Sequence, residues 1–447
     1  MNIDELRFSV SELQKRAVSD LERLVRIPSV GFDGYDPGPV RASAEVTADI
    51  LSSAGFDGVR LIEIPGGHPA VFGELPGPDR TPRVLLYAHH DVQPEGPHDQ
   101  WDSPPFEPTL REGRMYGRGT SDDKCGVVMH AIAVRAWEGR TPVGVKVLVE
   151  GEEESTTEHL PFLIQGHRDL LAAEVAVIAD SGNWRTDLPT LTTSLRGVVD
   201  AVVEVRVLDQ ARHSGQYGGP IPDALTALAR LLSTLHDDDG NVAIEGLRRG
   251  RWPGAEMTED EYRSETGLWP SVGLFGGPTL SERLWSGPAV DVLGVDAPRV
   301  VEASNQIVPV ARAKGSLRVA PDDDARAALQ KLGRHLETHA PWGVETTVEL
   351  GKAGEGFVVD TDVPAYRAAE RAMAKAWESD VVQSGSGGSI PLVPMLAGTF
   401  PGIAVLMLGA SDERSALHSV NESVDLGELE RACLAEALLL ADLARAE

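Results

Sequence analysis

The chain has 447 residues, too many for a single core, so two domains are expected. Hydrophobic residues make up 42% and charged residues 25%, an ordinary soluble composition, and the net charge of −28 argues against nucleic acid or an anionic membrane as partner. No apolar run is long enough to span a bilayer, MNIDELRFSVSELQKR lacks a signal-peptide core, and two cysteines (Cys125 and Cys433) make no disulfide framework, so the cytoplasm is the expected compartment.

Residues 4–26 read as an amphipathic helix with Leu13, Val18, Leu21, Leu24 and Val25 at helical spacing. A second helix, 41–54, stops at Gly55. Short, wholly apolar runs follow at 83–88, 143–149, 174–179 and 402–408, the pattern of strands buried on both faces of an α/β sheet. Helical patterns lie between or beside them at 122–139, 159–172 and 363–379. The middle of the chain differs. Residues 197–207 alternate like a half-exposed strand, and 222–235 form a helix with Leu225, Leu228, Leu232 and Leu235 on one face. After a loop-rich stretch at 237–298 come RVVEASNQI, the strand ARAKGSLRVAP, a helix, and the strand VETTVEL. That β-α-β-β-α-β order predicts a ferredoxin-like α+β domain over 197–357, inserted in an α/β domain made of 1–196 and 358–447.

Ligands of open α/β sheets gather beyond the carboxyl ends of strands. There the sequence carries His89-His90-Asp91, then Glu150 with Glu152, Glu153 and Glu154, then Asp180, and after the last strand His418. Asp122 and Asp123 open the helix between the first two of these strands. Imidazoles and carboxylates converging on one edge form a ligand set for two divalent cations, which would offset the repulsion within the glutamate run. Mixed nitrogen and oxygen ligation suits zinc, with manganese or cobalt as alternatives.

Eight motifs carry a resemblance: AHHDVQP (88–94), GRGTSDDKCG (117–126), EGEEES (150–155), ADS (179–181), HSGQYGG (213–219), SLRVAP (316–321), GGSIP (387–391) and ALHSVNE (416–422). In this order the chain resembles the co-catalytic zinc metallopeptidases that include carnosinase, bacterial dipeptidases, glutamate carboxypeptidase, acetylornithine deacetylase and succinyl-diaminopimelate desuccinylase. The HxDVQP, HSGxxGG and GGSIP forms lean toward the carnosinase-like dipeptidases. The resemblance implies a zinc-peptidase-type catalytic domain with a central mixed sheet and an inserted lid that dimerises. It implies that His89 and Asp180 hold one metal, Glu154 and His418 the other, and that Asp122 bridges them. Asp91 would orient His89, Glu153 would be the general base, and His213 would reach the site of a partner subunit to stabilise the oxyanion. Arg318, Asn305 and Ser389 match substrate-contacting positions, and an arginine suits a carboxylate.

The pattern also has departures. His90 fills a variable place beside His89, Arg212 stands where an apolar residue is common, and 237–298 matches no motif. Cys125 reads as a small helix residue. The expected function is metal-dependent hydrolysis of dipeptides or similar small substrates with a free C-terminal carboxylate. The alternatives are an N-acyl-amino-acid deacylase on the same residues and a non-catalytic metal-binding protein. Retention of both Glu153 and Glu154 favours catalysis.

Overall fold

A computed structural model describes residues 2–445, which form two compact units. The first comprises Met1–Thr193, Val359–Ser384 and Ile390–Glu447; the second comprises Ser194–Val358 and Gly385–Ser389.

In the first unit, α1 (Ile3–Val25) starts from a capping box in which Asn2 and Glu5 satisfy each other's backbone N–H. It buries Leu6, Val10, Ala17, Leu21 and Leu24, while Leu13 and Val18 lie only at the rim. Helix α2 (Gly38–Ala54) ends at Gly55, whose φ of 103° is open to glycine. The sheet uses β1 (Asp57–Ile62), β2 (Ala70–Leu75), β3 (Arg83–His89), β4 (Gly144–Glu150), β5 (Val175–Ile178) and β6 (Thr190–Leu195), with a late strand, Ala404–Met407. Their order is β1-β2-β4-β3-β5-late strand-β6. The inner four, β4, β3, β5 and the late strand, are mutually parallel. That explains their unbroken apolar runs: Val84 to Ala88 are fully buried, and each large side chain among them contributes ~1.5–3 kcal/mol.

Helix α3 (Lys124–Ala136) packs against α1, α2, β3 and the C-terminal helix Leu426–Leu443, and is buried nearly all round. The expected helix over 159–172 is two short ones, Leu160–Gly166 and Arg168–Leu171, broken at His167. Among the described residues no helix is long and apolar enough to cross a membrane.

The second unit holds a four-stranded antiparallel sheet of β7 (Gly197–Arg206), β8 (Ala289–Asp296), β9 (Val310–Val319) and β10 (Glu345–Gly354), ordered β8-β9-β7-β10. Helices Ala224–Ser233 and Ala325–Thr338 cover one face, where Val199, Ala201, Val203 and Val205 meet Leu228, Leu231, Leu329 and Leu332. This is the ferredoxin-like order, with two corrections. The second strand is β8, inside the stretch read as loop, whereas RVVEASNQI makes only a turn at Val300–Glu302 and the two-residue strand Gln306–Ile307. As an edge strand exposed on both faces, β8 has no amphipathic signal to detect. The helix at 224–233 buries Ala224, Ala227, Leu228 and Leu231, leaving Leu225 exposed.

Candidate metal centre

The candidate site forms where the parallel strands of the first unit stop. Strands β3, β4 and β5 run in register, with His89 beside Glu150 and Tyr87 beside Ile178. Their ends therefore deliver His89, the glutamate run and Asp180 to one edge. His89, Glu153 and Asp180 bring one ligand atom each within 4.8 Å of one another, and Asp122, Glu154 and His418 form a second such group.

Asp122 joins the two groups. Its Oδ1 lies 3.0 Å from Nε2 of His89, and its Oδ2 lies 2.9 Å from Nε2 of His418. Each oxygen of one carboxylate thus faces a different imidazole. His418 Nε2 is also 3.4 Å from Oε2 of Glu154. His418 sits at φ 59°, a left-handed conformation that a side chain rarely adopts and that the turn 416–421 enforces.

The adjacent histidines part company because successive side chains on a strand point to opposite faces. His89 turns to Asp122; His90 turns away and places Nε2 2.9 Å from the Pro69 carbonyl oxygen. Gly151 permits this packing, since a Cβ there would come within 2.7 Å of the His90 ring. Burial depresses His90 to about 4, so it is neutral near pH 7.

Asp91 ties the parts together. His89 Nδ1 lies 3.2 Å from the Asp91 carbonyl oxygen and 3.4 Å from Oδ1, while Asp91 Oδ2 accepts a 3.1 Å bond from the Glu154 N–H. Gln93 donates to Glu154 Oε2 at 2.8 Å. The Asp122–Asp123 peptide is cis. Its neighbourhood rests on Glu422, which is fully buried. Glu422 Oε1 accepts from the N–H groups of Ser121 (2.9 Å) and Asp122 (3.1 Å), and Oε2 accepts from Gly119 N–H (2.9 Å) and Arg118 Nη1 (2.7 Å). Sequence reasoning assigned Glu422 no role, although it closes the ALHSVNE motif.

The electrostatics describe a centre short of positive charge. Burial, then Asp180, drives the Glu153 carboxyl well up. Burial and Asp122 push Glu154 to about 8 and Asp180 to about 6. Burial also opposes ionisation of Asp122, but hydrogen bonds from His418 and His89 prevail and hold it below the usual carboxylate range. The Asp122 bond, set against burial, raises His418 to about 9. Glu154 Oε1 is buried with no hydrogen-bond partner among the described residues. A set of imidazoles and carboxylates, with a buried oxygen left over and carboxyls that resist ionising side by side, fits divalent cations.

The remaining expected residues lie in the second unit. His213 is exposed, pairs with Gln306 in a two-residue ladder, and accepts at Nδ1 from Gly215 N–H (3.1 Å). Asn305 is exposed beside it, its carbonyl accepting from Ser214 N–H at 3.0 Å. Arg318 is half-buried on β9, and Ser389 is half-buried in the glycine-rich segment 385–389.

A sequence profile of Peptidase family M20/M25/M40 matches residues 85–442. The Cysteinylglycine-S-conjugate dipeptidase of Corynebacterium striatum is 35% identical over 367 residues, covering 80% of this chain and 81% of that one. The Beta-Ala-His dipeptidase of Homo sapiens is 27% identical over 381 residues, covering 80% and 74%. Among solved structures, a di-peptidase from Saccharomyces cerevisiae superposes with a TM-score of 0.85 at 23% identity over 99% of both chains. Human carnosine dipeptidase 1 superposes at 0.83 and 23% identity, over 100% of this chain and 99% of that one. These two likenesses concern the fold.

Proposed function

This chain belongs to Peptidase family M20/M25/M40, and on that premise we propose that it is a two-metal dipeptidase acting on dipeptides with a free C-terminal carboxylate. The observation that carries the reading is Asp122, whose two oxygens face His89 and His418 separately. His89 and Asp180 would hold one cation, Glu154 and His418 the other, with Asp122 shared. Two such cations, zinc first and manganese or cobalt as alternatives, polarise a carbonyl and acidify a water when bound.

Glu153 stands with His89 and Asp180 in the first group and feels the charges of Glu154 and Asp122; in this reading it serves as the base and is not spent as a ligand. It takes the proton from the attacking water and hands it to the leaving amine nitrogen. Asp91 holds His89 in the orientation that presents Nε2 to the centre. His213, exposed and with Nε2 unengaged among the described residues, would stabilise the oxyanion in the site of a partner subunit, making the second unit a lid and the protein a homodimer. Arg318 would grip the substrate carboxylate, with Asn305 and Ser389 contacting the rest. The buried free cysteines suit a cytoplasmic enzyme.

The test is metal analysis of the purified protein, then a panel of dipeptides and N-acyl-amino acids with zinc, manganese or cobalt restored. The expected result is two metals per chain and dipeptide turnover. Turnover of acyl-amino acids alone would transfer the activity to a deacylase. Full activity without metal would overturn the reading.

A further inference from the structure

Arg196 lies near the start of the second unit and is only 8% exposed, yet among the described residues no carboxylate pairs with it. Its Nε donates to the Gly387 carbonyl at 3.4 Å, and Nη1 donates to the carbonyls of Arg283 (3.2 Å) and Gly287 (3.4 Å). Its backbone N–H also donates to the Ser386 carbonyl at 3.2 Å. One residue thus holds the glycine-rich segment by main chain and side chain. Among the described residues Nη2 makes no hydrogen bond. It faces Gly387 so closely that a Cβ there would come within 2.8 Å.

A second guanidinium stands nearby. Antiparallel pairing sets Val198 against Arg318 and Gly197 against Val319, so Arg318 shares a face of the sheet with Val198 and, two residues back, Arg196. Arg318 has no hydrogen bond or ion pair among the described residues; the acid whose charge it feels is Asp291. Burial, and then the charge of Arg318, bring Arg196 down to about 10, still a cation at neutral pH. Asp291 offsets part of the charge of both, but among the described residues it makes no hydrogen bond or ion pair with either, so Arg196 Nη2 and the whole Arg318 guanidinium remain as donors for a further anion. The planar fork of each suits a carboxylate.

We propose that Arg196 and Arg318 form a single carboxylate subsite beside Gly387, Arg196 supplying Nη2 as a second donor while seating the Ser386–Gly388 loop. The proposal rests on the dipeptidase reading and adds Arg196 and Gly387 as residues that set the preference for a free C-terminus. Gly387 is glycine because any side chain would fill the space in front of Nη2.

The experiment measures kcat and KM for a dipeptide and for the same dipeptide amidated at its C-terminus. The proteins are metal-loaded wild type, Arg318→Ala, Arg196→Gln, Arg196→Lys and Gly387→Ala, each checked for metal content. A lost charge-assisted hydrogen bond should raise KM for the free acid roughly 10-fold or more in Arg196→Gln, with kcat nearly unchanged and the amide unaffected. Arg196→Lys should recover part of the loss, and Gly387→Ala should reproduce it with Arg196 intact. If Arg196→Gln does not fold, Gly387→Ala decides. An equal loss on acid and amide would leave Arg196 a purely structural residue and overturn the proposal. Loss of the acid preference in Arg318→Ala alone, with Arg196→Gln and Gly387→Ala like wild type, would also overturn it while the dipeptidase reading stands. If Arg318→Ala keeps the preference, the carboxylate grip itself falls.

Discussion

Glu422→Gln tests whether the metal centre depends on the loop that carries Asp122. The wild-type carboxylate serves four donors: Ser121 and Asp122 N–H on Oε1, Gly119 N–H and Arg118 Nη1 on Oε2. An amide has one acceptor oxygen. In either orientation its NH₂ faces two donors, so two buried groups lose their acceptor at about 1–3 kcal/mol each. The Arg118 guanidinium, 2% exposed, also loses its counter-charge, and breaking such a buried pair costs about 3–5 kcal/mol. These costs overlap, so a loss of about 3–5 kcal/mol is expected, or a fall of about 5 °C in the unfolding midpoint of a chain this long. Because the Asp122 N–H is one of the four donors, bound metal per chain should fall as well. The assay is thermal unfolding followed by tryptophan fluorescence, with metal content by elemental analysis. A variant that unfolds at the wild-type temperature with two metals bound would refute the reasoning.

Glu153→Gln should keep both metals and lose roughly 10²–10⁴-fold in kcat, whereas Glu154→Gln should also lose metal; an active Glu153→Gln with an emptied site would show the roles reversed. His89→Ala should deplete metal and abolish turnover, while His90→Ala should leave metal content near normal, since His90 faces Pro69; equal metal loss in both would sink the assignment. Inactive His213→Ala and Glu153→Gln chains, co-expressed as verified heterodimers, should regain activity toward half the wild-type value, because one site then draws both functional residues. No regain would mean that His213 serves its own subunit or no site at all.

The chemistry at the strand ends was legible in the sequence because it is local. Period-two alternation separates His89 from His90, unbroken apolar runs mark the inner parallel strands, and the residues following them are the ones that meet at the sheet edge. The ferredoxin-like order was legible for the same reason, except at β8, where an edge strand exposed on both faces has no pattern to read. What only the tertiary structure decided are contacts between residues remote in the chain. Glu422 holds the Ser121–Asp122 backbone across about 300 positions, and Arg196 reaches Gly387 across 191. Nor could spacing say that the two oxygens of Asp122 divide between His89 and His418; that depends on the turn that puts His418 at φ 59°. Side-chain type and periodicity are properties of a segment. Which buried charge meets which donor is a property of the packed chain, because a carboxylate taken out of water is stabilised by whichever donors folding brings to it.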